Sequence, residues 1–367
     1  MPVKDLHDTP FDESTLAKLD IFEAYAQAWV PTFVMGGANT ICITDFFAGT
    51  GYDKNNVPGS PIRILQVIKQ YAILISEKKV KVKIYFNEYK ADKFALLKAA
   101  SEQYLNDNDI VRRVVQIEYL NMDFDKCFAQ LIPEIQKYPS LVYLDQNGIK
   151  FSSGKYFLEL EKIDKTDFLY FISSSYFWRF GNKEEFKKHF AMDMEAAKRD
   201  PYTFIHRNLI KQLSNKLPQN TRLTLYPFSL KKGANIHGII FGAKHPRAVE
   251  KFLDIAWKHN PINGDANFDI DEDSKKTQLD MFEGKKLNKV EKFGKDLEEK
   301  IRNDKTIKNS EVYLFTLVKG HPIKHANKVV KALKSKKLVQ YEGVSPKINY
   351  ESLKKKENLI EIKWIGQ

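Results

Sequence analysis

A chain of 367 residues that is 43% hydrophobic and 13% aromatic can build one large domain and a smaller one, and its composition excludes a disordered polymer. Two cysteines, Cys42 and Cys127, exclude a disulfide framework and a four-cysteine zinc site. The net charge of +12 is concentrated, because residues 300–367 carry 16 Lys and Arg against 6 Asp and Glu; this suits a polyanionic partner or, more plainly, a solvated lysine-rich surface. The beginning of the chain lacks the basic, apolar and small-residue succession of a signal peptide. No apolar run reaches membrane-spanning length, so a cytoplasmic location without membrane contact is expected.

In chain order, Leu16, Leu19, Ile21, Phe22, Tyr25, Ala26 and Trp29 fit the broad apolar face of a helix over 15–30, which Pro31 is expected to end. A short buried strand, 41–44, then delivers Asp45 to a turn holding Gly49 and Gly51. Glycine in such a turn admits positive φ and lets a ligand approach the main chain. Ser60 and Pro61 suit the cap and first turn of the next helix. Strand, glycine loop and helix in succession is how open α/β sheets hold nucleotide-like ligands beyond the carboxyl ends of their strands. The spacing is neither a phosphate-cradling P-loop nor the full Gly-x-Gly-x-x-Gly dinucleotide fingerprint.

A second strand, 80–86, ends in Asn87 and Glu88 before an amphipathic helix over 91–105. A carboxylate at Glu88 can accept from both hydroxyls of a ribose, or it can simply stabilise a helix N-terminus. A third strand, 114–120, leads to Asn121-Met122-Asp123-Phe124, where Asp123 fits an N-cap. A fourth, 140–144, ends in Asp145-Gln146-Asn147-Gly148, which places Asp145 for a substrate or closes the strand with an ordinary Asn-Gly turn. A fifth, 168–173, runs into an aromatic cluster with Arg179 that can stack on bases or pack at an edge. A polar, basic helical stretch over 183–217 fits an insert or lid. Segments 223–229 and 236–243 form a hairpin, and a helix over 246–257 follows.

Residues 261–288 form a linker between a domain over 1–260 and one over 289–367. In the second, helices over 290–301, 310–319 and 324–336 precede two short strands, 338–341 and 347–350, as in a winged helix-turn-helix. Lys324, Asn327, Lys328, Lys331 and Lys334 recur at three- and four-residue steps, giving a basic helical face suited to phosphates. Winged helices also serve as protein-docking modules.

Asp45-Phe-Phe-Ala-Gly-Thr-Gly51 resembles motif I of class I S-adenosylmethionine (SAM)-dependent methyltransferases. The wider layout resembles the three-Cys-motif partner family. It has a helix with Lys18-Leu19 and Tyr25 to Trp29, motif I with a trailing Gly59-Ser60-Pro61, an aspartate at a strand end, Phe241-Gly-Ala-Lys-His-Pro246 leading to Trp257, and a winged helix. The resemblance implies an α/β fold: a Rossmann-like methyltransferase sheet with a terminal antiparallel hairpin, plus a small C-terminal winged helix-turn-helix domain. It implies SAM as cofactor, bound by Asp45, Phe47, Gly49 and Gly51, with Lys18 on its carboxylate, Glu88 on its ribose and Asp123 with Phe124 or Met122 around its adenine. Asp145 and Asn147 would hold the acceptor, no metal would take part, and nucleic acid would be bound through the basic helix. Members are mostly bacterial or phage-related and are named after a cysteine-motif protein resembling radical SAM enzymes, an implied partner. The family usually has Asp-Pro-Phe-Gly where this chain has Asp145-Gln146-Asn147-Gly148, so the proline and the aromatic are changed. That departure leaves a second expectation open, a non-catalytic SAM-fold subunit that docks a partner protein. A nuclease is a third and weaker reading, because no metal-ligand cluster has convincing spacing.

Overall fold

Helix α1, Glu13–Met35, continues straight through Pro31, the residue expected to stop it. An interior proline leaves the carbonyl four residues earlier without its helical donor. Here that carbonyl belongs to Gln27, and the Tyr71 hydroxyl donates to it at 2.9 Å. The computed structural model describes residues 10–145, 154–173, 207–232, 235–276 and 286–366, which group into two units, residues 1–244 and 245–367. The linker expected over 261–288 thus lies within the second unit, as does the helix that begins at Pro246.

In the first unit β1 (Thr40–Asp45), α2 (Ser60–Glu77), β2 (Lys81–Asn87), α3 (Ala91–Asp107), α4 (Asp109–Val114), β3 (Val115–Leu120), α5 (Phe124–Lys137), β4 (Ser140–Asp145), α6 (Gly154–Glu161) and β5 (Thr166–Ser173) follow in order. Then come α7 (Leu209–Lys216), β6 (Thr224–Lys232) and β7 (Asn235–Ala243). They build a seven-stranded sheet in the order β3-β2-β1-β4-β5-β7-β6. Strands β1 to β5 are parallel, and β7 runs antiparallel to both β5 and β6. The expected terminal hairpin is therefore present, and the order reverses between β1 and β4, where open α/β sheets leave a crevice.

Both faces of the sheet are covered, so β4 is buried along nearly its whole length and reads as a continuous apolar run rather than an alternation. Cys42, Val142 and Leu144 face a core with Phe124, Phe128 and Tyr156. On α1, Phe22 stacks on Tyr143 of β4 with centroids 3.9 Å apart, and the Tyr25 hydroxyl donates to Asp167 at 2.7 Å.

The second unit contains α8 (Pro246–His259), α9 (Lys289–Asp304), β8 (Thr306–Lys308), α10 (Asn309–Val318), α11 (Ile323–Ser335), β9 (Val339–Gln340), the short α12 (Glu351–Lys354) and β10 (Glu361–Trp364). Its three-stranded sheet has the order β8-β10-β9. The expected strand at 347–350 does not form, and β10 takes its place against β9. The reason is local: the Lys347 carbonyl accepts from the Asn309 amide and the Ile348 carbonyl from the Asn327 amide, both at 3.0 Å. Side chains satisfy this backbone where a ladder otherwise would.

Candidate functional site

The crevice at the β1/β4 switch is built from strand ends. Asp45 closes β1 and is fully buried, and its two oxygens accept from the Phe47 N–H at 3.0 Å and the Ser60 hydroxyl at 2.6 Å. Ser60 therefore does not cap α2; Gly59 occupies the cap position and the serine side chain turns to the carboxyl. Burial raises the Asp45 pKa to about 7, against the lowering effect of those two hydrogen bonds and of Lys18. Asp45 thus shapes the turn from beneath.

Gly49 and Gly51 have φ of 67° and 90°, the left-handed region that favours glycine. A Cβ on Gly51 would also lie 2.9 Å from the Ala100 Cβ, so this glycine lets α3 close against the loop. Glu88, half-buried, accepts from the Gly49 N–H at 3.2 Å and the Lys90 N–H at 2.9 Å, one donor per oxygen. Among the described residues each oxygen has this one donor and so a second lone pair to offer, which puts a fixed carboxylate with acceptor capacity at the end of β2. Its pKa is raised, chiefly by burial.

Asn87, passed over in the sequence in favour of Glu88, is the buried tie of this region. Its amide donates to the Phe46 and Met122 carbonyls at 3.1 and 3.2 Å and accepts from the Met122 N–H at 3.1 Å, which locks the ends of β1, β2 and β3 together. Only a side chain with both a donor and an acceptor can do this. Asp123 is exposed and caps α5 by accepting from the Asp125 N–H at 3.0 Å. Phe124 is buried in the core, and Phe47, half-buried, stacks on it at 5.0 Å.

Lys18 reaches the carboxyl end of β4 by simple geometry. It lies one helical turn before Phe22, and Asp145 lies two residues after Tyr143 on the same strand face. The Phe22–Tyr143 stack thus brings the Lys18 ammonium onto the Asp145 carboxylate as an ion pair, with the ammonium also 4.2 Å from the centre of the Phe171 ring. Asn147 and the aromatic cluster near Arg179 lie outside the described residues. Among the described residues no group of three or more His, Cys, Asp or Glu can hold a metal, and no helix is long and apolar enough to cross a membrane.

The second unit carries a separate feature, an open groove of about 640 Å³ lined by Lys324, Asn327, Lys328 and Lys331 of α11 and by Ser345, Lys347, Ile348 and Asn349. Lys324, Lys328 and Lys331 are exposed. Asn327 and Lys334 are occupied elsewhere: the Asn327 amide donates to the Ile323 and Ile348 carbonyls at 3.2 and 3.0 Å, and the Lys334 ammonium to those of Tyr341 and Gly343 at 3.1 and 2.8 Å. Lys347 was not singled out in the sequence, because its place on the groove depends on the chain returning beside α11.

Sheet order and antiparallel edge together define a Rossmann-like sheet of the class I SAM-dependent methyltransferase kind. A family described as the GMT-like wHTH domain matches residues 267–346, so the second unit contains a region similar to a winged helix-turn-helix. Among solved structures, the chain is similar to Trm1 from Pyrococcus horikoshii in complex with S-adenosyl-L-methionine, at 11% identity and a TM-score of 0.35, over 66% of this chain and 59% of that one. It is also similar to a Listeria monocytogenes protein assigned to the class I SAM-dependent methyltransferases, at 13% identity and a TM-score of 0.32, over 64% of this chain and 63% of that one. The chain therefore spans less than two thirds of either. Among curated proteins nothing matches it.

Proposed function

We propose that the protein is a SAM-dependent methyltransferase acting on nucleic acid. The observation that supports the reading is the placement of the Gly49–Glu88 contact and the Lys18–Asp145 pair at the carboxyl ends of the adjacent parallel strands β2, β1 and β4, beside the point where the strand order reverses. When bound, SAM supplies an electrophilic methyl group on a sulfonium. The chain's own residues bind and orient. Glu88 offers its remaining acceptor capacity to a vicinal diol, Lys18 a cation to a carboxylate, and Phe47 an apolar edge beside the loop. Asp145, at the mouth of the crevice, holds the acceptor, so catalysis is by positioning. The lysine groove of the second unit binds phosphates without reading sequence.

The changed tetrapeptide, Asp145-Gln146-Asn147-Gly148, favours a second reading, a SAM-binding subunit without turnover that docks a partner protein. One experiment separates the two. SAM is titrated into the full chain by calorimetry with Gly49→Val as a loop control, and methyl transfer to DNA, RNA and protein is then assayed for wild type and Asp145→Ala. Saturable binding abolished by the valine supports the crevice, and transfer lost in Asp145→Ala with SAM binding intact supports the enzyme. Binding without transfer to any substrate sinks the enzymatic reading and leaves the subunit.

A further inference from the structure

At the crevice end of the sheet, a row of side chains continues past β4 to the antiparallel edge. Asp45 is in register with Tyr143, Asp145 with Phe171, and Ser173 with His237. Register partners share a face of the sheet, as do residues two apart on one strand. Tyr143, Asp145, Phe171 and His237 therefore all lie on the face that α1 covers, where Phe22 meets Tyr143. Because β7 runs antiparallel to β5, its first residues stand at the carboxyl end of the parallel strands. His237 thus shares an edge with Asp145. The contacts between them are continuous: the Lys18 ammonium pairs with Asp145 and lies 4.2 Å from the centre of the Phe171 ring, and the His237 ring stacks on Phe171 at 5.5 Å and 18°.

The members of this row differ in what they offer a ligand. Phe171 is buried and apolar. Asp145 is engaged by the Lys18 ammonium, and a cation beside a carboxylate weakens it as a proton acceptor. His237 is half-buried with its Nδ1 turned inward, which leaves Nε2 as the atom a ligand can reach. Imidazole is the side chain that ordinarily takes up a proton near neutrality. We propose that His237 is the proton-accepting catalytic residue of the acceptor site, and that the acceptor is a flat heterocycle with a ring N–H, the lactam edge of guanine, thymine or uracil. Such a nitrogen has a lone pair for attack only as its proton leaves, whereas an exocyclic amine sheds its proton after transfer. The aromatic wall of Phe171 and His237 suits a flat ring. As the ring nitrogen bonds to the methyl carbon, the methyl–sulfur bond breaks with its electron pair on sulfur, and the ring proton passes to Nε2 and then to solvent. The inference rests on the crevice being a methyltransferase site for nucleic acid.

Two readouts test it, the first without turnover. Diethylpyrocarbonate acylates accessible imidazoles, and its modification of His237 is followed by mass spectrometry in the full chain with S-adenosylhomocysteine. Mixed-sequence single-stranded DNA is expected to abolish that modification. A His237 that the reagent does not reach, or modifies equally with and without DNA, overturns the proposal. The second readout is methyl transfer from SAM to the same DNA and to its RNA counterpart, with the products digested to nucleosides. His237→Gln is expected to lower kcat about a hundredfold or more while calorimetric SAM affinity stays that of wild type. Added imidazole is expected to restore part of the rate to His237→Ala. Wild-type transfer rates in His237→Gln, no rescue by imidazole, or loss of SAM binding overturns the catalytic role. Product on the amino groups of adenine and cytosine, or on ribose hydroxyls, overturns the acceptor class. All these outcomes leave the methyltransferase reading standing, whereas transfer by wild type to neither polymer overturns that reading and the inference together.

Discussion

Asp45 has two hydrogen-bond donors and no solvent-exposed surface. Its pKa, raised to about 7 chiefly by burial, makes the fold prefer the protonated acid. The native state then binds more protons than the unfolded state between the ordinary carboxylate value and about 7, so this contribution is complete in acid and is lost as pH rises through that window. The loss approaches roughly 1.4 kcal/mol per pH unit within it. Urea unfolding of wild type from pH 4 to 8 is expected to show that decline, and Asp45→Asn, which keeps a polar partner for Ser60 without a titrating group, is expected to remove it. Equal pH profiles for the two would mean that Asp45 titrates normally. At the crevice mouth the Lys18–Asp145 pair sets a second expectation. If Lys18 holds the SAM carboxylate, Lys18→Met raises the SAM dissociation constant about tenfold, the worth of one charge-assisted hydrogen bond, whereas Asp145→Asn changes it less than about threefold. The reverse order in calorimetry would assign the cofactor contact to Asp145.

Helix α1 shows why element boundaries were less legible than element types. Its apolar face was plain from Leu19 to Trp29, but the stop at Pro31 was wrong because Tyr71, forty residues later, supplies the missing donor to Gln27. Removing that hydroxyl in Tyr71→Phe should lower stability by about 1 kcal/mol, read as a fall in the urea midpoint at constant m-value; an unchanged midpoint would mean that water serves the carbonyl equally well. The wing failed in the opposite direction. Residues 347–350 had the strand-like alternation, but two asparagines from α10 and α11 take their carbonyls, and the four-residue β10 was too short to announce itself. A further feature at the start of α11 was silent in the sequence, the approach of His321, in the preceding turn, and His325, on the helix, to 3.0 Å between their Nδ1 atoms, packed on Trp257. Burial first, then neighbouring lysines, lower their pKa values to about 2 and about 4. Depressed bases stabilise the native state above the ordinary imidazole value and lose that contribution as pH falls toward about 4. The second unit should therefore open in mild acid, with a shift in Trp257 fluorescence, and His325→Gln should make the transition shallower in pH. An unaltered transition would remove the pair from the acid response.

At the scale of the whole molecule, charge was the most legible property and also the least specific. Composition alone placed most of the +12 beyond residue 300. The structure sorts those cations: Lys300, Lys319, Lys354, Lys355 and Lys363 are paired with carboxylates and Lys334 with carbonyls. Lys324, Lys328, Lys331 and Lys347 line the groove. Pairing across strands and between helix turns is a three-dimensional property, which is why a helical-face argument included Lys334 and missed Lys347. The sorting fixes a number for the whole chain. If each of the four groove lysines releases one counterion from duplex DNA, log affinity should fall against log salt with a slope of about −3.6. A slope of about −9 would mean that most of the C-terminal lysines engage, and one near zero that phosphates are not the ligand. The crevice residues belong to a different unit and carry a different charge logic. Reversing a groove charge in Lys328→Glu is therefore expected to weaken DNA binding steeply while leaving the calorimetric SAM affinity unchanged. Loss of SAM binding in that variant would show that the two activities do not reside on separate units.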